Sequence, residues 1–148
     1  MRLHRFYVRE KLEVGREVVI PDSDLTHQLK RVFRLKVGNV IVLFDGDGFE
    51  YVSQILSFED NAITFRINEA KGSLELPKVK VCLYPSLIKK DNLEWVIQKC
   101  TELGVAEFHP VISERSEKKS FDMLRAEKIA IEAAEQSGWE RIPKIYEP

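Results

Sequence analysis

Basic side chains grouped on one short segment are the residues of this chain whose type and spacing best suit binding to phosphate. His27, Lys30, Arg31 and Arg34 recur at the spacing of one helix face, and no acidic residue stands on that face. Like charges one turn apart destabilise a helix by roughly 0.2–0.5 kcal/mol, so a plain solvated face usually mixes acids with bases. The pattern predicts a surface that contacts RNA phosphates, with an ordinary solvated face as the alternative.

Three arginines near the N-terminus extend this predicted RNA surface, namely Arg2, Arg5 and Arg9. The net charge of −1 is not that of a strongly basic protein, but the charges are segregated along the chain. Residues 1–36 carry nine Lys or Arg and five Asp or Glu, whereas residues 37–76 carry two and seven. Such segregation allows a local basic patch on a nearly neutral protein.

A second group of charged residues lies farther along the chain, where predicted strands end. Lys89 and Lys90 precede the N-terminus of a predicted helix, whose free backbone N–H groups attract anions. Arg115 follows a second predicted strand, and its guanidinium suits bidentate binding of a phosphate or a carboxylate. Ligands of open α/β sheets bind at this edge. The alternatives are a solvated lysine pair and a salt bridge from Arg115 to a neighbouring glutamate.

The elements that carry the first group form a small β-rich domain, which we place at residues 1–76. A helix is predicted from Asp24 to just before Gly38. Its apolar stripe comprises Leu25, Leu29, Val32 and Phe33. The predicted strands are Val18–Ile20, Val40–Asp45, Phe49–Phe58 and Ile63–Ile67. Short turns join the last three strands, which predicts an antiparallel barrel or meander, and the polar segment Glu69–Pro77 predicts a linker.

The elements that carry the second group form a βαβ unit within a second domain at residues 77–148. Its strands are predicted at Lys78–Ser86 and Val105–Ile112, with a third starting after Pro143. A βαβ unit predicts parallel strands and a right-handed crossover. A parallel sheet this small cannot cover both of its faces, so we expect the chain to be part of a longer protein, with a complete domain closed by a partner chain as the alternative.

Two helices are predicted within this second domain. The first begins near Asp91, where Asp91 and Glu94 have capping-box spacing, and ends at Gly104. The second begins after Ser120 or Asp122 and ends at Gly138. Their inward faces are predicted to comprise Leu93, Val96, Ile97, Cys100 and Leu103 on the first helix and Leu124, Ile131 and Ala134 on the second.

Other classes of site find little support in the sequence. The three histidines are scattered without metal-ligand spacing, and Cys82 and Cys100 are predicted to be small core residues. Neither a Walker loop nor a dinucleotide-binding glycine motif occurs. No apolar run is long enough to cross a bilayer, and no secretory leader is evident, so a cytoplasmic protein is expected. The residues alone predict an α/β domain together with a β-rich module that carries a basic helix, and they make RNA binding a hypothesis for that module.

Several strings in order nevertheless resemble one known family over nearly the whole chain. The resemblance rests on RLHRFYV at the N-terminus, H-x3-R-V-x-R in the basic segment, L-x-x-G-x-x-I-x-L-F-D-G-x-G-x-E-Y, LEWVIQKCTELGV, P-x-x-S-E-R-S and EQSGWERIP. The chain is similar to the ribosomal RNA small-subunit methyltransferase E family, whose members methylate uridine N3 in 16S ribosomal RNA with S-adenosylmethionine.

This resemblance implies a fold, partners and roles for residues. It implies an N-terminal PUA-like antiparallel β-barrel followed by the first half of an α/β SPOUT domain, a fold with a trefoil knot. Homodimers and 16S ribosomal RNA, or the small ribosomal subunit, are the implied partners. The basic residues above, with Lys89 and Arg141, become candidates for RNA contact. Arg115 becomes the candidate catalytic residue, with an electrostatic or substrate-orienting role, and Lys89, Glu94 and Arg115 are expected in the crevice between the domains.

The chain departs from the family pattern in three ways. Lys90 stands where a glycine is common, and Trp139 stands where a basic residue is common. The family's methyl-donor loop and knot lie downstream of everything present, so the S-adenosylmethionine site is expected beyond Pro148. The sequence therefore predicts that this chain alone neither binds S-adenosylmethionine nor methylates RNA. Two alternatives stay open, a non-catalytic RNA-binding module and, with less support, a small nucleotide-binding α/β protein.

Overall fold

A computed structural model describes residues 3–72, 79–114, 116 and 120–148 of the chain. It divides into two compact units, Met1–Leu74 and Glu75–Pro148. The domain boundary predicted between residues 76 and 77 stays a prediction. Among the described residues, no helix is both long and apolar enough to cross a membrane.

The first unit is built on a five-stranded sheet with the order β1-β3-β4-β5-β2. The strands are β1 (Arg5–Tyr7), β2 (Glu17–Ile20), β3 (Val40–Phe44), β4 (Glu50–Phe58) and β5 (Ile63–Lys71). All neighbours pair antiparallel except β1 and β3, which are parallel. The four predicted strands are confirmed, but β1 was not predicted. Because β5 continues to Lys71, the segment predicted as a linker begins inside a strand, and residues 73–78 lie outside the described residues.

Alternation along β5 places the core of this unit on one face of the sheet. Ile63, Phe65 and Ile67 are fully buried, as the period-two pattern predicts. Leu25 and Leu29 of the helical segment complete the same hydrophobic cluster. The helical segment is therefore held against the sheet by its apolar side chains.

The helical segment changes its winding halfway along. It begins as α1 (Ser23–His27), where the Asp22 carboxylate accepts a hydrogen bond from the Leu25 N–H at 2.9 Å. It continues as a π-helical turn (Gln28–Val32), in which the Phe33 N–H donates to the Gln28 carbonyl at 3.0 Å. The predicted end just before Gly38 was wrong. Val32, which the sequence placed in the apolar stripe, is 65% exposed. This part of the predicted stripe was wrong, because the wider turn changes the direction of the side chains within it.

The second unit contains a three-stranded parallel sheet with the order β6-β7-β8. Its elements in chain order are β6 (Cys82–Leu83), α2 (Lys90–Glu102), β7 (Glu107–Phe108), α3 (Met123–Ser137) and β8 (Lys144–Ile145). The predicted βαβ unit and third strand are confirmed, although the strands are much shorter than predicted. Leu83, Phe108 and Ile145 lie in one cluster with residues of both helices, so α2 and α3 pack on the same face of the sheet.

In the second unit, capping residues and terminal glycines predicted most helix ends correctly. The buried faces of the two helices were predicted only in part. The Asp122 carboxylate caps α3 by accepting from the Arg125 N–H at 3.0 Å, and Gly138 ends α3 in the left-handed conformation. The Asp91–Glu94 capping box was wrong, because Lys89 is the N-cap of α2 and makes no side-chain capping bond. Two residues predicted to face inward are exposed instead, Leu103 by 83% and Leu124 by 77%.

Candidate nucleic-acid interface

The basic residues of the helical segment are all exposed in the structure. His27 is the last residue of α1, and Lys30 and Arg31 lie in the π-helical turn. Arg34 follows the turn and is also exposed. We call these four residues the basic segment. Their exposure permits contact with a polyanion, but the π turn means that they are no longer arranged as one ideal helix face.

Arg34 has an unusual backbone conformation. Its φ of 53° makes it the one non-glycine residue with positive φ among the described residues. The left-handed conformation costs an ordinary residue roughly 1–2 kcal/mol. The Leu35 N–H donates to the Leu29 carbonyl at 2.9 Å, so the left-handed conformation of Arg34 closes the end of the helical segment.

The cationic side chains of the basic segment differ in whether they contact other groups of the protein. The Lys30 ammonium donates to the Glu59 carbonyl at 3.2 Å and lies 5.1 Å from the centre of the Phe58 ring. In contrast, Arg31 and Arg34 form no ion pair with any described residue. Arg31 and Arg34 are therefore the most available cations of this surface.

The arginines near the N-terminus separate into different environments. The Arg5 side chain is only 9% exposed, forms an ion pair with Glu50 and lies 5.3 Å from the centre of the Phe44 ring. This packing favours a structural role for Arg5. Arg9 is exposed, and Arg2 lies outside the described residues.

In the second unit, Lys89 lies at a helix terminus suited to anions. The N-cap residue of α2 is Lys89, which is exposed and whose side chain accepts no hydrogen bond from the first-turn N–H groups. Free N–H groups and a nearby ammonium together attract phosphate. Lys90 is the first residue of α2, and its ammonium lies 3.6 Å from Glu94. Lys90, which stands where a glycine is common in the family, therefore adopts an ordinary helical conformation.

A cavity of about 270 Å³ lies between the N-terminal parts of α2 and α3. Leu93, Ile97 and Phe121 contribute apolar walls, and Glu94 and Arg125 contribute charge. The Arg125 guanidinium donates to Glu94 Oε2 from Nε at 3.2 Å and from a terminal nitrogen at 3.0 Å. Glu94 therefore joins the two helices instead of capping its own.

The Glu94–Arg125 pair predicts a pH dependence of stability. The hydrogen bond from Arg125 holds the pKa of Glu94 below its ordinary value of 4.5. A lowered folded-state pKa means that the stabilisation is complete above pH 4.5 and is lost as the pH falls through the folded-state value. Glu94→Gln should therefore lower the melting temperature at pH 7 and make less difference near pH 3. Glu127→Gln, on α3 and without an ion pair to any described residue, is the control; an equal loss at both pH values would contradict the prediction.

Arg141 and Trp139 lie between the end of α3 and the start of β8. Arg141 is half-buried, and its Nε atom is buried with no hydrogen-bond partner among the described residues. A side chain added at Gly104 would approach the Trp139 ring to 3.1 Å, so Trp139 covers the end of α2. Packing therefore accounts for tryptophan at this position. Arg115, the predicted catalytic residue, lies outside the described residues.

The glycines of the second unit do not lie where a nucleotide-like cofactor would approach the backbone of the described residues. Its two glycines are Gly104 and Gly138, and each follows the last turn of a helix. Close approach of backbone to a cofactor usually needs glycines in a turn after a strand. The part of this unit that the structure describes contains no such turn.

An exposed basic segment on the β-rich unit suits a protein that binds RNA, and comparison with known proteins shows which class of RNA-binding protein this is. Residues 74–148 match the model of the RNA methyltransferase domain, and residues 20–68 match that of the RNA methyltransferase PUA domain. The chain therefore belongs to the RNA methyltransferase family. The predicted α+β fold, a PUA-like unit followed by a methyltransferase unit, is confirmed.

Individual relatives narrow the resemblance to methyltransferase E, as the sequence motifs predicted. The chain is 32% identical to ribosomal RNA small subunit methyltransferase E of Rickettsia conorii over 99% of this chain and 59% of that protein. It is 36% identical to the Bacillus subtilis protein of the same name over 82% and 50%. The crystal structure of the Neisseria gonorrhoeae enzyme, bound to S-adenosylmethionine, superposes with a TM-score of 0.88 at 29% identity and covers 98% of this chain and 61% of that one. The chain spans between half and two thirds of the length of these relatives.

Proposed function

We propose that this chain forms the RNA-docking part, and the first part of the catalytic domain, of an S-adenosylmethionine-dependent methyltransferase acting on uridine N3 of 16S ribosomal RNA. The match of residues 74–148 to the RNA methyltransferase domain is the observation that carries the proposal. The small-subunit name of the relatives supports the ribosomal substrate. The proposed setting is the cytoplasm, with the small ribosomal subunit as partner and a homodimer as the working form.

The proposed roles of the residues follow from what methyl transfer to a uridine nitrogen needs. The base must be held out of pairing, the N3 proton removed and the developing charge stabilised. The basic segment, Arg9 and Lys89 are proposed to bind RNA phosphates and so to fix the position of the strand. Arg115 is proposed to orient the base or stabilise its charge. Arg5, packed on Phe44, is proposed to act by shaping the sheet.

S-adenosylmethionine supplies the methyl group when it is bound to such enzymes. Because the described residues of the second unit lack a glycine turn after a strand, we propose that this chain alone does not hold it. Isothermal titration of the 148-residue chain with S-adenosylmethionine should give no saturable heat up to millimolar ligand, while 16S ribosomal RNA binds. Tight cofactor binding by the chain would contradict this part of the proposal.

The substrate is tested in cells that lack the gene. Nucleoside analysis of their 16S ribosomal RNA should show the loss of one N3-methyluridine, and restoring the gene should restore it. Unchanged methylation together with RNA binding by the chain would instead favour the alternative, a non-catalytic RNA-binding module.

A further inference from the structure

Three side chains with metal-binding atoms converge on the sheet face of the second unit opposite α2 and α3. Cys82 and Glu107 are register partners on β6 and β7, and His109 follows two residues after Glu107. Their ligand atoms all lie within 4.8 Å of one another. Because Leu83 and Phe108 point to the helices, alternation along the strands places these three side chains together on the other face.

The distances within this cluster already approach those of a coordination site. Glu107 Oε2 lies 3.5 Å from Cys82 Sγ and 3.0 Å from His109 Nε2. A tetrahedral Zn²⁺ with ordinary bond lengths separates such ligand atoms by about 3.3–3.7 Å. The Glu107–His109 pair would therefore have to open by roughly 0.3–0.5 Å around an ion. The distance from Cys82 Sγ to the histidine ligand nitrogen is at most 4.8 Å, so that pair would have to close by at most about 1.3 Å.

Two neighbouring contacts hold the cluster in a suitable orientation. The His109 ring is stacked between Tyr84 and Tyr146, at centroid distances of 4.7 and 4.3 Å, which fixes the plane of the imidazole. The Lys80 ammonium lies 2.5 Å from Glu107 Oε1, so the other oxygen, Oε2, is the one turned to Cys82 and His109. A metal on Oε2 leaves the Lys80 contact intact as an outer hydrogen bond.

We propose that Cys82, Glu107 and His109 bind one divalent transition-metal ion of borderline softness, with Zn²⁺ as the best fit. A thiolate and an imidazole select Zn²⁺ or Co²⁺ over Mg²⁺ and Ca²⁺, which prefer oxygen ligands. Three protein ligands leave a fourth position for water. The ion would join β6 to β7 and stabilise the folded chain by mass action. Cys82, Glu107 and His109 are not among the residues proposed to contact RNA, so failure of the metal proposal leaves the proposed function untouched.

Cobalt gives a direct test on the untagged, chelator-treated chain. Titration with Co²⁺ should give a sulfur-to-cobalt charge-transfer band that saturates at one equivalent, and Zn²⁺ but not Mg²⁺ should abolish it. Competition with a chromophoric chelator should show that Cys82→Ser weakens Zn²⁺ binding by about 100-fold or more, since even outer-shell changes cost 10–100-fold. Cys100→Ser is the matched control and should keep both the band and the affinity.

A second variant separates ligand loss from misfolding. His109→Gln keeps the thiol, so it should weaken Zn²⁺ binding while the charge-transfer band still forms at higher Co²⁺. Far-ultraviolet circular dichroism verifies that each variant is folded. The proposal is overturned if the chain shows no saturable binding below about 100 μM metal, or if folded Cys82→Ser binds Zn²⁺ as the unmodified chain does.

Discussion

A protein carrying Arg31→Glu and Arg34→Glu is expected to bind 16S ribosomal RNA about 10–100-fold more weakly at moderate salt. Both arginines are exposed and unpaired among the described residues, so reversing their charge replaces attraction to phosphate with repulsion. Affinity falls as salt rises, and each lost phosphate contact makes the slope of log affinity against log salt shallower by about 0.7–0.9. The loss of two contacts should therefore reduce the magnitude of the slope by about 1.4–1.8. Filter binding across a salt series measures both quantities.

The control for this experiment has the same change in net charge. Arg16 and Arg66 are exposed arginines of the same unit that are paired with Glu13 and Glu17. The double variant Arg16→Glu and Arg66→Glu should retain most of the affinity and the salt slope. If both double variants lose affinity equally, the basic segment is an ordinary solvated surface and the binding is set by overall charge.

The largest effect on stability is expected from Phe108→Ala. Phe108 is fully buried on the central strand of the second unit, and it packs against both helices. Truncating a buried phenylalanine costs about 3–5 kcal/mol through lost burial and the cavity left behind. That is a large share of the stability of a small domain, about 5–15 kcal/mol in total. The denaturation midpoint of this unit should therefore fall sharply.

Both tryptophans, Trp95 and Trp139, belong to the second unit, so their fluorescence during urea denaturation reports that unit selectively. Leu124→Ala is the matched control, because its side chain is 77% exposed and its loss should cost about 0.5 kcal/mol or less. A large loss of unfolding free energy in Leu124→Ala would contradict its exposure in the structure and support the inward position predicted from the sequence.

Features fixed by short-range chemistry were predictable from the sequence. The ends of α3 lie at Asp122 and Gly138, as predicted. A carboxylate cap and a left-handed glycine each act within one helical turn, so the local sequence is enough to identify them. The strands with clear alternation were also placed well. Leu124 was misplaced because the buried face of α3 consists largely of alanines, including Ala126, Ala130 and Ala133. Small residues allow close packing of α2 on α3, but a pattern based on large apolar residues overlooks them.

Features that depend on distant pairing were not predictable. β1 has three residues, and its parallel partner β3 is more than thirty residues away. The cluster of Cys82, Glu107 and His109 likewise depends on the register between two strands separated by a helix. At the candidate RNA interface, the sequence identified the exposed charges. It did not predict the π turn, because that depends on how Leu29 and Phe33 pack on the sheet.

The π-helical turn also has a consequence for evolutionary comparison. A turn closed from residue i to i+5 holds one residue more than an α-helical turn, so it is equivalent to an insertion that the helix has absorbed. In a relative whose helix is regular, the residues after this point are rotated by about 100° relative to those here. A gap-free alignment of such a relative would equate the residues after Val32, Arg34 among them, with side chains that point elsewhere. Equivalent charges in this segment should be identified from superposed structures.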